Sequence, residues 1–160
     1  MTALSVSWNM HISSTEDIAY KLENMAKQAS EGARFAMRDG AIDIANLATR
    51  MAPVELANLE EAIKYRLVRD SPRHRASFEV YIDGTLPAEH PDRPSTIGKT
   101  VGEYAMIMHE GSYNLGKWSL IKQASEDVLV GPKFITRAAE ELHEEIREDV
   151  EAKVFVRIGK

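Results

Sequence analysis

The stretch TEDIAYKLENMAKQASEGARFAMRDGAIDIANLATRM, residues 15–51, decides the fold of this chain. Apolar or small residues recur in it at every third or fourth position, which predicts one amphipathic helix from about residue 15 to 51. Pro53 ends the helix, because the residue before a proline is disfavoured in the α conformation. The apolar stripe consists of Ile18, Leu22, Met25, Ala29, Ala33, Ala36, Gly40, Ile44, Leu47 and Met51.

The middle of this stripe contains only small side chains, at Ala29, Ala33, Ala36 and Gly40. Small side chains allow another backbone to approach closely. A helix of this length is unusual, since helices in globular proteins average about 11–12 residues. Part of the stripe is therefore expected to face another subunit. The alternative is a pair of helices, broken near Gly32 or Gly40 and fully covered within the chain.

Strand patterns lie on both sides of the long helix. Residues 3–10 alternate between apolar and polar side chains, which predicts a strand. The SSTED segment at 13–17 follows, and its serine-to-acid spacing predicts a helix-starting capping box. Residues 55–62 are expected to form a short helix or turn. Residues 63–69 and 75–83 predict the two strands of a hairpin, joined by a proline-containing turn.

The second half of the chain contains two irregular stretches. Residues 84–100 hold three prolines and two glycines, which predicts a long exposed loop. Residues 101–112 are expected to return as a strand or short helix, and a second short helix is expected at 118–125. The Gly-Pro pair at 131–132 is predicted to open the last helix. The alternating, β-branched segment at 152–158 predicts a final strand.

These elements indicate an α+β fold within a single domain, residues 1–160. Long N-terminal and C-terminal helices pack on a small, mostly antiparallel sheet. Residues 84–100 and 112–128 are expected to protrude as arms that reach neighbouring subunits. The length of 160 residues suits one domain with its own core.

Composition excludes several classes of protein. A net charge of −5 argues against broad, nonspecific binding of nucleic acid, which needs clustered lysine and arginine. The chain has no cysteine, so disulfides and thiolate metal sites are excluded. We expect no signal peptide, because the N-terminus lacks a basic region followed by an apolar one. No apolar run approaches the roughly 20 residues of a membrane span, so no membrane partner is expected.

The His109-Glu110 pair raises the question of a metal site. A zinc protease helix needs a second histidine one turn later, and none follows here. Apolar side chains alternate along residues 104–109 and Gly111 comes next, which favours a strand end and turn at a subunit contact. A small metal-dependent enzyme using His90, His109 and Glu110 remains an alternative. The sequence contains no GxSxG, GxGxxG or phosphate-binding loop motif.

Basic residues cluster at the predicted hairpin tip. Arg69, Arg73 and Arg75 are candidates for contact with DNA or with an acidic partner. The last helix carries many glutamates on one face, which predicts a solvated surface. That face on a neighbouring subunit is one possible partner for the hairpin tip.

Three motifs in fixed order carry a family resemblance. The first joins Ala52 and Pro53 to Leu59, Ala62 and Ile63; the second comprises Tyr104, Ala105, His109, Glu110 and Gly111; the third comprises Pro132, Phe134, Ile135 and Ala138. With this order, about residues 15–150 resemble the tailed-bacteriophage minor tail component family, the gene-product-10-like neck proteins of lambdoid phages.

The resemblance implies a structural virion protein of the head–tail junction, assembled in the host cytoplasm. Such a protein forms a hexameric or dodecameric ring, joins the head-completion connector to the tail terminator or tail tube, and lets DNA pass through the lumen. It implies no catalytic residue, metal or cofactor. A tail terminator and a bacterial adaptor without a phage link remain alternatives. The predicted interface comprises Ala29, Ala33, Ala36, Gly40, Leu86, Ile97, Tyr104, His109, Glu110, Gly111, Tyr113, Trp118, Leu120, Ile121 and Phe134.

Overall fold

A computed structural model describes residues 15–54, 58–71, 75–88 and 98–158. These residues form five helices and one two-stranded antiparallel sheet, which confirms the predicted α+β class. The predicted strand at 3–10 and the capping residues at 13 and 14 lie outside the described residues. The helices are α1 (Thr15–Met51), α2 (Asn58–Ala62), α3 (Val101–Glu110), α4 (Lys117–Ser125) and α5 (Phe134–Ile158); the strands are β1 (Ile63–Ser71) and β2 (Arg75–Ile82).

Helix α1 is continuous from Thr15 to Met51, so the alternative of two broken helices is wrong. It ends at Met51, two residues before Pro53, because the residue that precedes a proline is disfavoured in the α conformation. Its small side chains allow α5 to pack closely against it. A Cβ added at Gly32 would lie 2.7 Å from the carbonyl oxygen of Lys153, so the two backbones nearly touch. The close approach therefore serves a contact within the chain.

Helix α5 runs to Ile158, and the predicted final strand at 152–158 is wrong. The β-branched residues of this segment favour a strand only weakly, and packing against α1 outweighs that preference. Two ion pairs fasten the segment to α1: Lys153 to Asp39 at 3.0 Å and Arg157 to Glu31 at 3.1 Å.

The start of α5 also differs from its prediction at residues 131–132. The helix begins at Phe134, after a turn in which Gly131 has a φ of 152° and Lys133 a φ of 55°. Only glycine adopts the first of these angles without strain. The amide of Arg137 bonds the carbonyl of Lys133 at 2.8 Å, which fixes the first turn after this loop.

The hairpin confirms the two predicted strands. The register runs from Ile63 opposite Ile82 to Ser71 opposite Arg75. An irregularity between Leu67 and Arg69 leaves Val68 without a directly opposed residue. Such a bulge adds local twist to the hairpin. Beyond β2, the backbones of residues 87 and 100 pair, so the predicted loop at 84–100 closes at its base, and its residues 89–97 lie outside the described part.

The core lies where the C-terminal end of α1 meets α2, α3, the first turns of α5 and the near end of the hairpin. Val101 and Ala105 of α3 are buried in it, four residues apart, while Met106 and Ile107 are both exposed. This spacing is helical, so of the two alternatives for residues 101–112 the short helix is confirmed and the strand is wrong. The core comprises Ala45, Leu47, Ala48, Met51, Ala52, Leu59, Ala62, Ile63, Val101, Ala105, Phe134 and Ala138.

None of the helices in the described ranges combines the length and apolar character needed to cross a membrane.

Candidate interaction surface

Helix α4 is held on the core by its inner face. Ser119 is fully buried and its hydroxyl accepts a hydrogen bond from the backbone N–H of Val54 at 3.0 Å. One turn later, Gln123 donates to the carbonyl of Val128 at 3.0 Å and accepts from the N–H of Val130 at 2.6 Å. These bonds fix both the helix and the chain that leaves it. The predicted helix at 118–125 is confirmed, one residue longer at its start.

Lys122 anchors α4 to the end of α1. Its ammonium group donates to the carbonyls of Thr49 at 2.7 Å and Ala52 at 2.9 Å. It also pairs with the carboxylate of Glu60 on α2. The last carbonyls of a helix lack partners within the helix and carry partial negative charge, so a partly buried cation suits this position. Lys122 thus ties three helices together.

The outer face of α4 is apolar and uncovered within the described part of the chain. Trp118, Leu120 and Ile121 are 53%, 56% and 51% exposed. We call these three residues the α4 patch. The ammonium of Lys117 lies 5.4 Å from the Trp118 ring centroid, which keeps one face of the indole partly covered. An anchored helix with large apolar side chains on its outer face has the form of a docking surface.

Three residues of the predicted interface are instead buried inside the chain. Ala36 is 1% exposed, Phe134 is fully buried, and Gly40 lies against Ile146 of α5. The prediction that they contact another subunit is wrong, because α5 and the core of the same chain cover them. The periodic stripe correctly marked a contact face, but it could not identify which helix covers that face.

The remaining small residues of the stripe, Ala29 and Ala33, are half-buried. Leu86 is partly buried and packs against the core, where its carbonyl accepts the N–H of Val101 at 2.8 Å. Ile97, also predicted at the interface, lies outside the described residues.

His109, Glu110 and Gly111 form the C-terminal end of α3. His109 Nδ1 lies 2.7 Å from a carboxylate oxygen of Glu110, and the N–H of Gly111 donates to the carbonyl of Ile107 at 2.8 Å. The imidazole also meets the Phe134 ring edge-on, with centroids 4.9 Å apart. His109 therefore closes the helix end over the core.

The described ranges give no further support for a metal site at His109. They contain no group of three or more histidine, aspartate or glutamate side chains placed to hold a metal ion. His90, the other histidine of the enzyme alternative, lies outside them.

The two tyrosines of the predicted interface are both half-buried. The hydroxyl of Tyr113 donates to the carbonyl of Met108 at 2.7 Å, and burial raises its pKa while the charge of Arg137 opposes that rise. The hydroxyl of Tyr104 is buried without a hydrogen-bond partner in the described structure, and burial raises its pKa to about 12. Tyr104 is therefore a neutral packing residue at neutral pH.

The hairpin positions Arg69 on β1 and Arg75 on β2, both next to the turn, while Arg73 lies outside the described residues. The side chains of all three also lie outside the described part, so their predicted contact with DNA or an acidic partner stays a prediction. Further from the turn, Lys64 and Arg66 are exposed on β1, and Arg66 pairs with Glu79 at 2.8 Å.

Two features escaped sequence reasoning. One is the inner face of α4, where Ser119 and Lys122 reach groups more than 60 residues away in the chain. The other is an open cleft between α1 and the hairpin, in which Phe35 faces Leu67 and Phe78. The exposed positions of Trp118, Leu120 and Ile121 do agree with the expectation for residues 112–128.

The sequence matches no model of a known protein family and no curated protein, and the structure matches no solved structure.

Proposed function

We propose that this chain is a structural virion protein of the phage head–tail junction. In this role, copies of the chain form a ring that joins the head connector to the tail tube and leaves a central path for DNA. The proposal rests on the motif order in the sequence and on one structural observation, the α4 patch. Trp118, Leu120 and Ile121 stay exposed on a helix whose inner face is tightly anchored.

The anchoring distinguishes this surface from a loosely packed helix. Ser119 and Lys122 hold α4 through buried polar contacts, so the patch keeps a fixed shape before any partner arrives. A preorganised surface loses less conformational entropy on binding, and tryptophan is enriched among the residues that dominate interface energy. Both properties suit a permanent assembly.

Electron microscopy of lysates tests the proposal in a phage that carries this gene. We expect silencing of the gene to leave full heads beside separate tails of normal length. Tails of irregular or runaway length would instead assign the chain to the tail terminator. Intact infectious virions would overturn the phage proposal.

Complementation with variants then tests the α4 patch itself. Supplying the W118S/I121S variant in trans should fail to restore joined virions, whereas the wild-type chain should restore them. Phe155→Ser is the matched control, because Phe155 is equally apolar, 72% exposed, and remote from α4 near the end of α5. Equal rescue by both variants would contradict a role for the patch.

A further inference from the structure

A cleft of about 570 Å³ opens between α1 and the β1–β2 hairpin. Its floor is apolar, formed by Phe35, Leu67 and Phe78, and the first two are 43% and 39% exposed. Arg34 and Arg38 line the same cleft, together with Glu31. We call this site the α1–hairpin cleft. An apolar floor beneath a guanidinium rim favours a ligand that is apolar in its centre and acidic at its edges.

The aromatic floor is also surrounded by positive charge. The Arg38 guanidinium lies 5.4 Å from the Phe35 ring centroid, and that of Arg157 lies 5.1 Å from it. Both arginines have acidic partners, Asp39 at 2.8 Å and Glu31 at 3.1 Å, yet 48% and 40% of their side chains remain exposed. Arginine carries five N–H donors, so each of these two guanidinium groups can donate hydrogen bonds to a further carboxylate.

A surface of the opposite kind lies on α5. Ala139 and His143 lie one turn apart on its surface, and Glu140 and Glu144 form an acidic row along one side of them. Both carboxylates are exposed, and that of Glu144 is bonded to Arg147 of the same helix at 2.7 Å, while the inward residues of α5 pack on α1 and the core. We call these four residues the α5 outer face. An amphipathic helix that lays such a face into a groove is a recurrent mode of protein recognition.

The cleft and the α5 outer face cannot meet within one molecule. Helix α1 packs against the hairpin and, separately, along the length of α5, while the hairpin and α5 barely touch each other. The two surfaces share no residue, and the end of α5 that reaches the cleft, at Arg157, lies more than three helical turns beyond Glu144. Complementary surfaces at different places on a chain join copies head to tail, and this type of contact closes into a ring when the rotation allows.

We infer that the α1–hairpin cleft of one copy binds the α5 outer face of a second copy. Arg34 and Arg38 pair with Glu140 and Glu144, and Phe35 packs against Ala139 and the His143 ring beside those glutamates. The inference rests on the self-association in the proposed function and names the surfaces that carry it.

Charge-swapped variants in sedimentation velocity test this contact. R34E/R38E makes the cleft as acidic as the outer face, and E140K/E144K makes the outer face as basic as the cleft. Each variant alone should associate at least about tenfold more weakly than the wild-type chain, because like charges then face each other. An equimolar mixture should recover association in alternating order. The acidic cleft of one variant then meets the basic outer face of the other, and the two unchanged surfaces form the original pair.

The matched control is E141K/E145K, which changes the same charge on the neighbouring flank of α5, where both glutamates are exposed. It should associate like the wild-type chain. Recovery in the mixture excludes misfolding as the cause of the losses. If the wild-type chain associates and neither swap weakens it, or the mixture stays dissociated, the inference is overturned while the proposed function stands. A wild-type chain that stays monomeric overturns the contact and self-assembly together.

Discussion

Gly40 of α1 lies so close to α5 that a Cβ at this position would be 2.9 Å from both Cγ atoms of Ile146. Real side chains do not approach this closely, and the β-branched isoleucine has little freedom to move away. Glycine in a helix costs about 1 kcal/mol relative to alanine, so helix propensity alone would favour replacing it. The close packing of α1 and α5 explains why glycine suits the position.

We therefore expect Gly40→Ala to destabilise the chain although it raises helix propensity. The loss should be about 1–3 kcal/mol in the free energy of unfolding, measured with urea, because the core is overpacked. Combining it with Ile146→Ala should remove most of the loss attributable to the clash. Additive effects of the two substitutions would show that the residues do not press on each other.

Lys122→Met should destabilise the chain by about 1–3 kcal/mol, because two helix-end carbonyls and the Glu60 carboxylate lose their shared donor. Lys117→Met, on the exposed side of the same helix, should change stability by less than about 0.5 kcal/mol. Thermal and urea unfolding of both variants provide the comparison. Similar losses for the two would mean that Lys122 does not fasten α4 to α1.

We expect removal of the hydroxyl group to change the stability of the chain differently at the two tyrosines, Tyr113 and Tyr104. Tyr113→Phe removes a 2.7 Å hydrogen bond to the carbonyl of Met108 and should cost about 1 kcal/mol. Tyr104→Phe removes a buried hydroxyl that has no partner in the described structure, so it should leave stability unchanged or raise it. A clear loss in Tyr104→Phe, measured by urea unfolding, would mean that this hydroxyl is bonded.

We also expect Tyr104 to make the stability of the chain depend on pH in the alkaline range. Burial raises its pKa from 10.0 to about 12 in the folded chain. The unfolded chain therefore releases this proton first, and the contribution of Tyr104 to stability is complete below pH 10 and is lost as the pH rises toward 12. Tyr104→Phe should flatten the fall in stability across that range. An unchanged slope would contradict burial of the phenol.

At acidic pH, we expect the ion pair between Asp39 and Lys153 to have a smaller effect on the free energy of unfolding. Hydrogen bonds from Arg38 and Lys153 lower the pKa of Asp39, so its contribution exists above the unfolded pKa and is lost as the pH falls through the folded value. Since both side chains are more than a third exposed, the contribution should stay below about 1 kcal/mol. Asp39→Asn should remove this acid dependence, and stability curves against pH would measure the difference.

The elements that the sequence predicted correctly are those with a strong local pattern. The unbroken stripe of α1, the alternation in the hairpin and the short helix at α4 all depend on neighbouring residues. The errors at α3 and at the end of α5 arise where local preference favours a strand and distant packing decides otherwise. Met106 and Ile107 show this, because their apolar character suggested a buried strand and yet both are exposed.

Among the predicted interface residues, the exposure of those on α4 could be predicted from the sequence, because they belong to an apolar helix in a loop-rich region. The burial of Ala36 and Gly40 could not be predicted, because a stripe of small residues is the same whether the covering helix belongs to the same chain or to another. The α1–hairpin cleft could not be predicted either, since Phe35 and Phe78 meet only through the tertiary fold.

The most direct test of a role at the head–tail junction is immunogold labelling of intact virions with an antibody against this chain. We expect gold particles at the neck, between the head and the tail tube, and none on the separate heads and tails that remain when the gene is silenced. Virions that carry no label in the neck, while the same antibody detects the chain in the infected lysate, would contradict the proposed function.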